Sequence, residues 1–271
     1  MPEAIRKVNV IGHLNPDTDS ICSAIAYAYL KNKLGNTDIY EARRAGSVNR
    51  ETAFALKHFG FAEPELITTV TPQIKDCEVQ KQDGIEAGMS LFAAWSRMRE
   101  TGTDTLCITD EQDNLGGLIA VKDIANANLD IFDTEVIAES ATSYANIVST
   151  LNGEMLLGDP EATVTEGSVR VGTTPEMMED TVKKGDLVLV TNRYETQQFA
   201  VECDASCIVV CCGAHVSPQV MASAKRHGCA IIATPYDTYA ASRLICMSIP
   251  VSAKMHRDGI VKLSVNTSVD D

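Results

Sequence analysis

The sequence predicts an α/β protein whose main layers are parallel sheets, on three observations. Residues 7–12 (KVNVIG) form a short run centred on Val8, Val10 and Ile11, and residues 187–191 and 207–211 are apolar at nearly every position, as strands covered on both faces require. Between such runs, stretches such as residues 21–34 and 218–227 carry apolar side chains at helical spacing. Strand and helix alternate, the order that feeds crossover connections into a parallel sheet.

The elements follow in order. Residues 7–12 read as a first strand, the Asn15-Pro16-Asp17 turn follows, and residues 21–34 form the first helix. A second strand at residues 38–41 (DIYE) and a helix over residues 49–59 complete a βαβα start, which Glu63-Pro64-Glu65 closes. From about Val70 the character changes to an extended lead-in and a helix at residues 91–101. Two strands then follow, at 105–109 and 115–120, joined by the polar turn 110–114, with helix again from Lys122. This β-α-β-β-α order is a supersecondary unit distinct from the preceding sheet. A third segment begins near Asp133, with strands at residues 169–172, 187–191, 207–211 and 230–233. Helical patterns at 175–184, 195–205 and 218–227 separate them. From Ile249 the chain reads as a new strand and the start of a helix, with nothing that closes a domain, so the intact protein is expected to be longer.

Composition narrows the function. With 271 residues, 45% hydrophobic and 22% charged, the chain has enough apolar surface for two or three ordinary domains. A formal charge of −14 argues against nucleic acid or an anionic membrane as partner, because either needs clustered Lys and Arg. A small anionic substrate is compatible with that charge if metal ions supply the positive field. No apolar run approaches the ~20 residues that span a bilayer, and a cytoplasmic protein is expected. Five of the nine Cys (Cys203, Cys207, Cys211, Cys212, Cys229) crowd a stretch that reads as buried strand, so reduced thiols are expected. The alternative, a structural zinc site, lacks a CxxC pair, and His215 and His227 lack finger spacing.

The chemistry concentrates in HLNPDTD, residues 13–19. Here one imidazole (His13) and two carboxylates (Asp17, Asp19) lie between the first strand and the first helix, beyond the strand's carboxyl end. Imidazole plus oxygen ligands without thiolate suits Mn²⁺, Co²⁺, Mg²⁺ or Zn²⁺, and aspartates two apart can reach different ions. Pro16 stiffens the turn, and Ser20 or Asp19 is expected to cap the helix. The same residues also read as a plain turn, with Asp19 a cap and His13 a solvated loop residue.

The extended stretch GHLNPDTDSICSAIAYAYL resembles the first motif of the DHH phosphoesterases, in the form used by family II inorganic pyrophosphatases. ARRAGSVNRETAFALKHFG, residues 42–60, resembles the segment these enzymes place next in their catalytic sheet. The resemblance implies that His13 and Asp17 ligate one metal and Asp19 another, with Mn²⁺ or Co²⁺ as cofactor and Mg²⁺ an alternative. It implies hydrolysis of pyrophosphate to two phosphates, with the metals activating water and clamping phosphoryl oxygens. The family's Asp-His-His motif and its C-terminal phosphate-binding Lys and Arg have no counterpart in these residues.

Residues from about Val70 to Leu129, ending in GGLIAVKDIANA, resemble one CBS repeat. The CBS element Gly-x-x-Thr-x-x-Asp is matched by Asp123, whose carboxylate the resemblance assigns to an adenosine ribose or its phosphate, while Ala120 stands at the hydroxyl position. Residues from about Asp133 to Val251 resemble a DRTGG domain, most specifically in KKGDLVLVTNRYETQQFAVE and ATPYDTYAASRLICMSIPVS, with Asn192-Arg193 at its Asp-Arg position. The implied organisation is residues 1–68 as the N-terminal part of a DHH domain, 69–130 a CBS repeat, 131–250 a DRTGG domain and 251–271 the start of a second CBS repeat. Adenine nucleotides would regulate the enzyme at the CBS modules, and a homodimer is implied. Two alternatives belong to other classes: a nucleotide-sensing regulatory protein without catalysis, and a DHH exopolyphosphatase or nuclease.

Overall fold

A computed structural model of the chain describes residues 6–35, 38–79, 81–129 and 134–269. They divide into two compact units, residues 1–79 with 263–271 and residues 80–262. The predicted onset of the third segment, near Asp133, lies outside the described residues.

In the first unit, β1 (Lys7–Ile11), β2 (Ile39–Arg44) and β3 (Glu65–Leu66) form a parallel sheet in that order. α1 (Thr18–Lys33) and α2 (Arg50–Phe59) provide the crossovers. α1 turns Ile21, Ala24 and Ala28 inward, four and three residues apart on one face, and α2 contributes Leu56. Asn49 starts α2 by accepting from Thr52 N at 2.8 Å.

Two sequence expectations change here. β2 runs to Arg44 rather than ending at Glu41, and the Glu63-Pro64-Glu65 exit leads into a third strand at Glu65–Leu66, with Arg43 opposite Glu65. Both were hidden because these strands carry charges that pair across the sheet. Lys7 meets Glu41 at 3.1 Å, and Arg43 reaches Glu41, Glu65 and Asn9. The hydrogen bond from Lys7 holds the Glu41 carboxyl below its usual range.

The second unit opens with α3 (Leu91–Thr101), the antiparallel hairpin β4 (Thr105–Thr109) and β5 (Leu115–Ala120), and α4 (Val121–Leu129). α5 (Val136–Glu139) and α6 (Tyr144–Thr150) lead into a five-stranded sheet. That sheet contains β6 (Glu154–Leu157), β7 (Val169–Val171), β8 (Leu187–Val190), β9 (Cys207–Val210) and β10 (Ala230–Ala233), in the order β6-β10-β9-β8-β7. α7 (Pro175–Met178), α8 (Tyr194–Glu202), α9 (Pro218–His227) and α10 (Thr238–Leu244) complete it. β7 to β10 are mutually parallel and β6 runs antiparallel on the edge.

The strands are covered on both faces, and period-two alternation sorts their side chains. Leu187, Leu189, Cys207, Val209 and Ile232 join the core shared with α3 and the hairpin. Val188, Val190, Ile208, Val210 and Ile231 face the α7–α9 side.

The predicted helix over 175–184 shortens to Pro175–Met178. The Asp186 carboxylate takes the Lys183 N–H at 2.8 Å and turns the chain into β8. From Ile249 no new strand and helix form. Ile249 and Val251 are drawn into the core beside α3, with Leu91 N donating to Ile249 O at 2.9 Å and Val251 N to Met89 O at 2.8 Å. A 3₁₀ turn at Val251–Ala253 and isolated bridges, His256 with Leu118 and Ser268 with Gln73, follow. Burial of two apolar side chains thus outweighs sheet extension in this segment.

Cys207, Cys211 and Cys229 are buried. Burial pushes the Cys211 thiol up to about 11, that of Cys229 to about 12, and that of Cys207 well above its ordinary value. These groups keep their protons where a zinc site would need thiolates. Iodoacetamide at pH 8 is therefore expected to modify the exposed Cys22, Cys77 and Cys212 in the native chain and to reach the three buried thiols only after unfolding, a pattern that peptide mapping checks. Because their folded values lie above the unfolded value of 9.0, the stability these thiols contribute is fully present below pH 9. It is lost as pH rises towards the folded values.

Candidate functional site

The loop of residues 12–17 leaves the carboxyl end of β1 and enters α1, as a ligand-binding crevice of a parallel sheet does. Glycines on two segments let it pack tightly. A Cβ on Gly12 would stand 1.9 Å from Ser20 Oγ, and one on Gly46 would stand 2.2 Å from Leu14 O and 2.9 Å from Pro16 Cδ. Pro16 is buried beneath the loop while His13, Asp17 and Asp19 remain exposed. Arg44 donates to Gly46 O at 2.8 Å and to Pro64 O at 2.9 Å, and Thr18 bonds the buried Thr52 at 3.0 Å. Sequence reading missed this support. The only signal was the glycine of RRAGS, whose purpose depends on a loop about thirty residues away in the chain.

His13 Nε2 lies 3.1 Å from Asp17 Oδ1, the oxygen that also accepts from Ser20 N at 3.1 Å. Asp17 is therefore the helix cap, in place of the expected Ser20 or Asp19. Its extended backbone, φ −99° and ψ −173°, aims the carboxylate at the N–H groups of the first turn. A side-chain hydrogen bond with Asp19, followed by the Ser20 N–H and the His13 charge, holds the Asp17 carboxyl below its usual range. The structure thus brings His13 to Asp17 and Asp19 to Asp17. Among the described residues, no group of three or more His, Cys, Asp or Glu side chains is gathered into a metal cage. The donor set itself, one imidazole and two solvent-facing carboxylates, fits a divalent ion of hard or borderline character. Among the described residues, Ser20 Oγ, buried behind the loop, has no hydrogen-bond partner.

Asp123 belongs to the second unit, on the corner between β5 and α4. Its Oδ2 accepts from Ala120 N at 2.9 Å, the return half of a capping box, and its Oδ1 lies 2.9 Å from His256 Nε2. Both oxygens are engaged within the chain. Arg193 immediately precedes α8, and among the described residues its side chain makes no hydrogen bond or ion pair.

Comparison with known proteins places these features. The DRTGG domain model matches residues 146–248. A cobalt-dependent inorganic pyrophosphatase of Clostridium perfringens is 34% identical over 265 residues, 97% of this chain and 48% of that protein. The crystal structure of the CBS and DRTGG domains of the C. perfringens pyrophosphatase regulatory region, complexed with the activator diadenosine tetraphosphate, covers 73% of this chain. It is 30% identical, with 87% of its own chain matched and a TM-score of 0.68. The chain belongs to the family II pyrophosphatases that carry CBS and DRTGG domains. A second family II relative, described as a probable manganese-dependent inorganic pyrophosphatase of Thermotoga maritima, is 27% identical over 94% of this chain and 46% of its own length. The chain spans about half the length of these curated family II relatives. Among the described residues, no helix is long and apolar enough to cross a membrane.

Proposed function

We propose that this chain carries the metal-anchoring loop and the nucleotide-sensing module of a cytoplasmic inorganic pyrophosphatase that uses Mn²⁺ or Co²⁺, with Mg²⁺ as a further candidate. In this reading residues 1–68 belong to the catalytic DHH domain, 69–130 to a CBS repeat, 131–250 to the DRTGG domain, and 251–271 begin a second CBS repeat. His13 and Asp17 hold one ion, Asp19 a second, and the protein acts as a homodimer. Bound ions would lower the pKa of water and neutralise pyrophosphate oxygens, which a chain of net charge −14 cannot do by itself.

The chain's own residues prepare the loop for that task. Asp17 is kept deprotonated by its neighbours, so no proton has to be displaced before an ion is bound at neutral pH. His13 presents Nε2 on the same side as the Asp17 carboxylate. Pro16 beneath, with Gly12 and Gly46 alongside, restricts the loop before any ligand arrives. The observation that carries the reading is the 3.1 Å meeting of His13 and Asp17 where β1 ends and α1 begins.

The test is phosphate release from pyrophosphate with Mn²⁺ or Co²⁺, compared with an Asp19→Ala variant. Metal-dependent release that this substitution reduces by two orders of magnitude or more supports the assignment (roughly the scale of losing an essential charge-stabilising group). Release from polyphosphate or oligonucleotides, with pyrophosphate inert, would transfer the reading to an exopolyphosphatase or nuclease. A sensor without catalysis has one observation in its favour, the missing third-ligand gathering among the described residues. It predicts nucleotide binding with no phosphate release under any metal.

For the regulatory half, Asp123 is proposed to accept hydroxyls of an adenosine ribose. Because Asp123 Oδ1 already holds His256, a ribose hydroxyl that approaches this oxygen competes with that contact. His256→Ala is therefore expected to strengthen adenosine binding by about tenfold, roughly the lower end of the worth of one hydrogen bond to a charged group. Asp123→Ala should weaken it and also loosen the first turn of α4. Calorimetric titration with adenosine separates the two, and weaker binding in His256→Ala would instead make His256 a ligand contact.

A further inference from the structure

Thr18 stands between the two acidic residues of the candidate metal loop, and its hydroxyl turns inward. It meets the hydroxyl of Thr52 at 3.0 Å, 34 positions later in the chain. Thr52 is wholly buried in the first turn of α2, and the Asn49 cap takes its N–H at 2.8 Å. The hydrogen bond therefore ties the first residue of α1 to a side chain that the cap of α2 holds in place. Valine has nearly the shape of threonine, so packing between the two helices does not by itself require a hydroxyl at position 52. The contact with Thr18 does.

Residues two apart on a helix do not face each other. The Asp17 and Asp19 carboxylates are nonetheless within hydrogen-bond reach of each other. Two features produce that meeting: Asp17 keeps an extended backbone as the cap, and Thr18 is anchored inward while its two neighbours remain exposed. Asp17 is held independently of this anchor, by the Ser20 N–H and by His13, each at 3.1 Å. Among the described residues, Asp19 has no side-chain partner other than Asp17. Its place is set by the backbone of the first turn of α1, and hence by Thr18. We propose that Thr52 is a positioning residue for the metal loop: its hydroxyl, acting through Thr18, fixes the spacing between Asp17 and Asp19 and so the place of the second ion. The proposal rests on the metal-loop reading above and adds a residue of α2 that touches neither ion.

The test is calorimetric titration with Mn²⁺ of the full chain, Thr52→Val, Thr52→Ser, Asp19→Asn and the Thr52→Val/Asp19→Asn double variant, each with a thermal melt. Thr52→Val is expected to weaken Mn²⁺ binding about tenfold, the lower end of what loss of an outer-shell partner costs a metal site. Thr52→Ser, which keeps the hydroxyl, should bind as the unsubstituted chain does. In the Asp19→Asn background Thr52→Val should cost no further affinity, because the group it positions is no longer a charged ligand. A role confined to helix packing would add its effect in both backgrounds. If Thr52→Val melts too early to titrate, Thr18→Val removes the same hydrogen bond from the half-buried side and carries the same expectations. Unchanged affinity in these variants, or equal losses with and without the Asp19 carboxylate, overturns the positioning role and leaves the metal loop standing. No Mn²⁺ uptake by the unsubstituted chain overturns the metal-loop reading and this proposal with it.

Discussion

Asp17→Asn is expected to remove most of the affinity of the loop for Mn²⁺ while leaving the fold intact. Asn and Asp are about equally good helix caps, so the amide oxygen can still accept the Ser20 N–H that Asp17 accepts at 3.1 Å. What the substitution removes is the negative charge and a strong oxygen ligand beside His13. The loss should exceed the roughly 10–100-fold that removal of an outer-shell partner costs a metal site. Asp17→Ala should lose the metal equally and in addition destabilise α1 by about 1 kcal/mol, because the first-turn N–H groups lose their acceptor. Asp19→Ala should lose metal with the cap unaffected. Calorimetry with Mn²⁺, paired with thermal melting, separates these three outcomes. An Asp17→Asn chain that takes up Mn²⁺ as the unsubstituted chain does would show the loop to be an ordinary capped turn.

Asp186→Ala is expected to produce the largest stability loss among single polar substitutions in the second unit, about 3 kcal/mol. Its carboxylate is 4% exposed. Oδ1 accepts from Ser168 N and Oδ2 from Lys183 N, both at 2.8 Å, with Arg170 Nε 3.6 Å from Oδ2. Alanine would leave backbone donors without partners at the point where two turns enter β7 and β8, and each charge-assisted hydrogen bond contributes about 1.5–3 kcal/mol. Asp186→Asn keeps one acceptor and should lose about half as much. Urea unfolding measures both. A loss within about 0.5 kcal/mol of zero for the alanine variant, the usual range for surface sites, would mean that water reaches these N–H groups and that the carboxylate is not their essential partner.

Elements with strong local signals were legible in the sequence. Leu91–Thr101 combines helical periodicity with Ser90 as cap and Gly102 as stop, and the hairpin of Thr105–Thr109 with Leu115–Ala120 alternates around a polar turn. Cys207–Val210 and Ala230–Ala233 are apolar at every position, which suits interior strands. β6 was missed because Glu154–Leu157 becomes a strand only by pairing antiparallel with β10, more than seventy residues later. α6 and α10 span seven residues each, about two turns, and their buried apolar residues, Tyr144 and Ile147 in one and Ala241 in the other, are too few to establish a period. The charged ladder of Lys7, Glu41, Arg43 and Glu65 was illegible for a different reason: ion pairs between neighbouring strands leave no hydrophobic pattern to read.

In the candidate site, the sequence by itself determined the kinds of donor and their order, an imidazole and two carboxylates at the mouth of a strand-to-helix turn, because residue chemistry does not depend on distant partners. Tertiary structure decided how those groups are used. Asp17 rather than Ser20 or Asp19 caps α1, because the backbone dihedrals of the loop choose which side chain can reach the first-turn N–H groups. Asp123 meets His256 across 133 positions, and Thr18 meets Thr52 across 34, because folding brings together segments that no periodicity connects. Local pattern is set by neighbours three or four residues away; pairing of polar groups is set by whichever partner the packed core brings within hydrogen-bond reach.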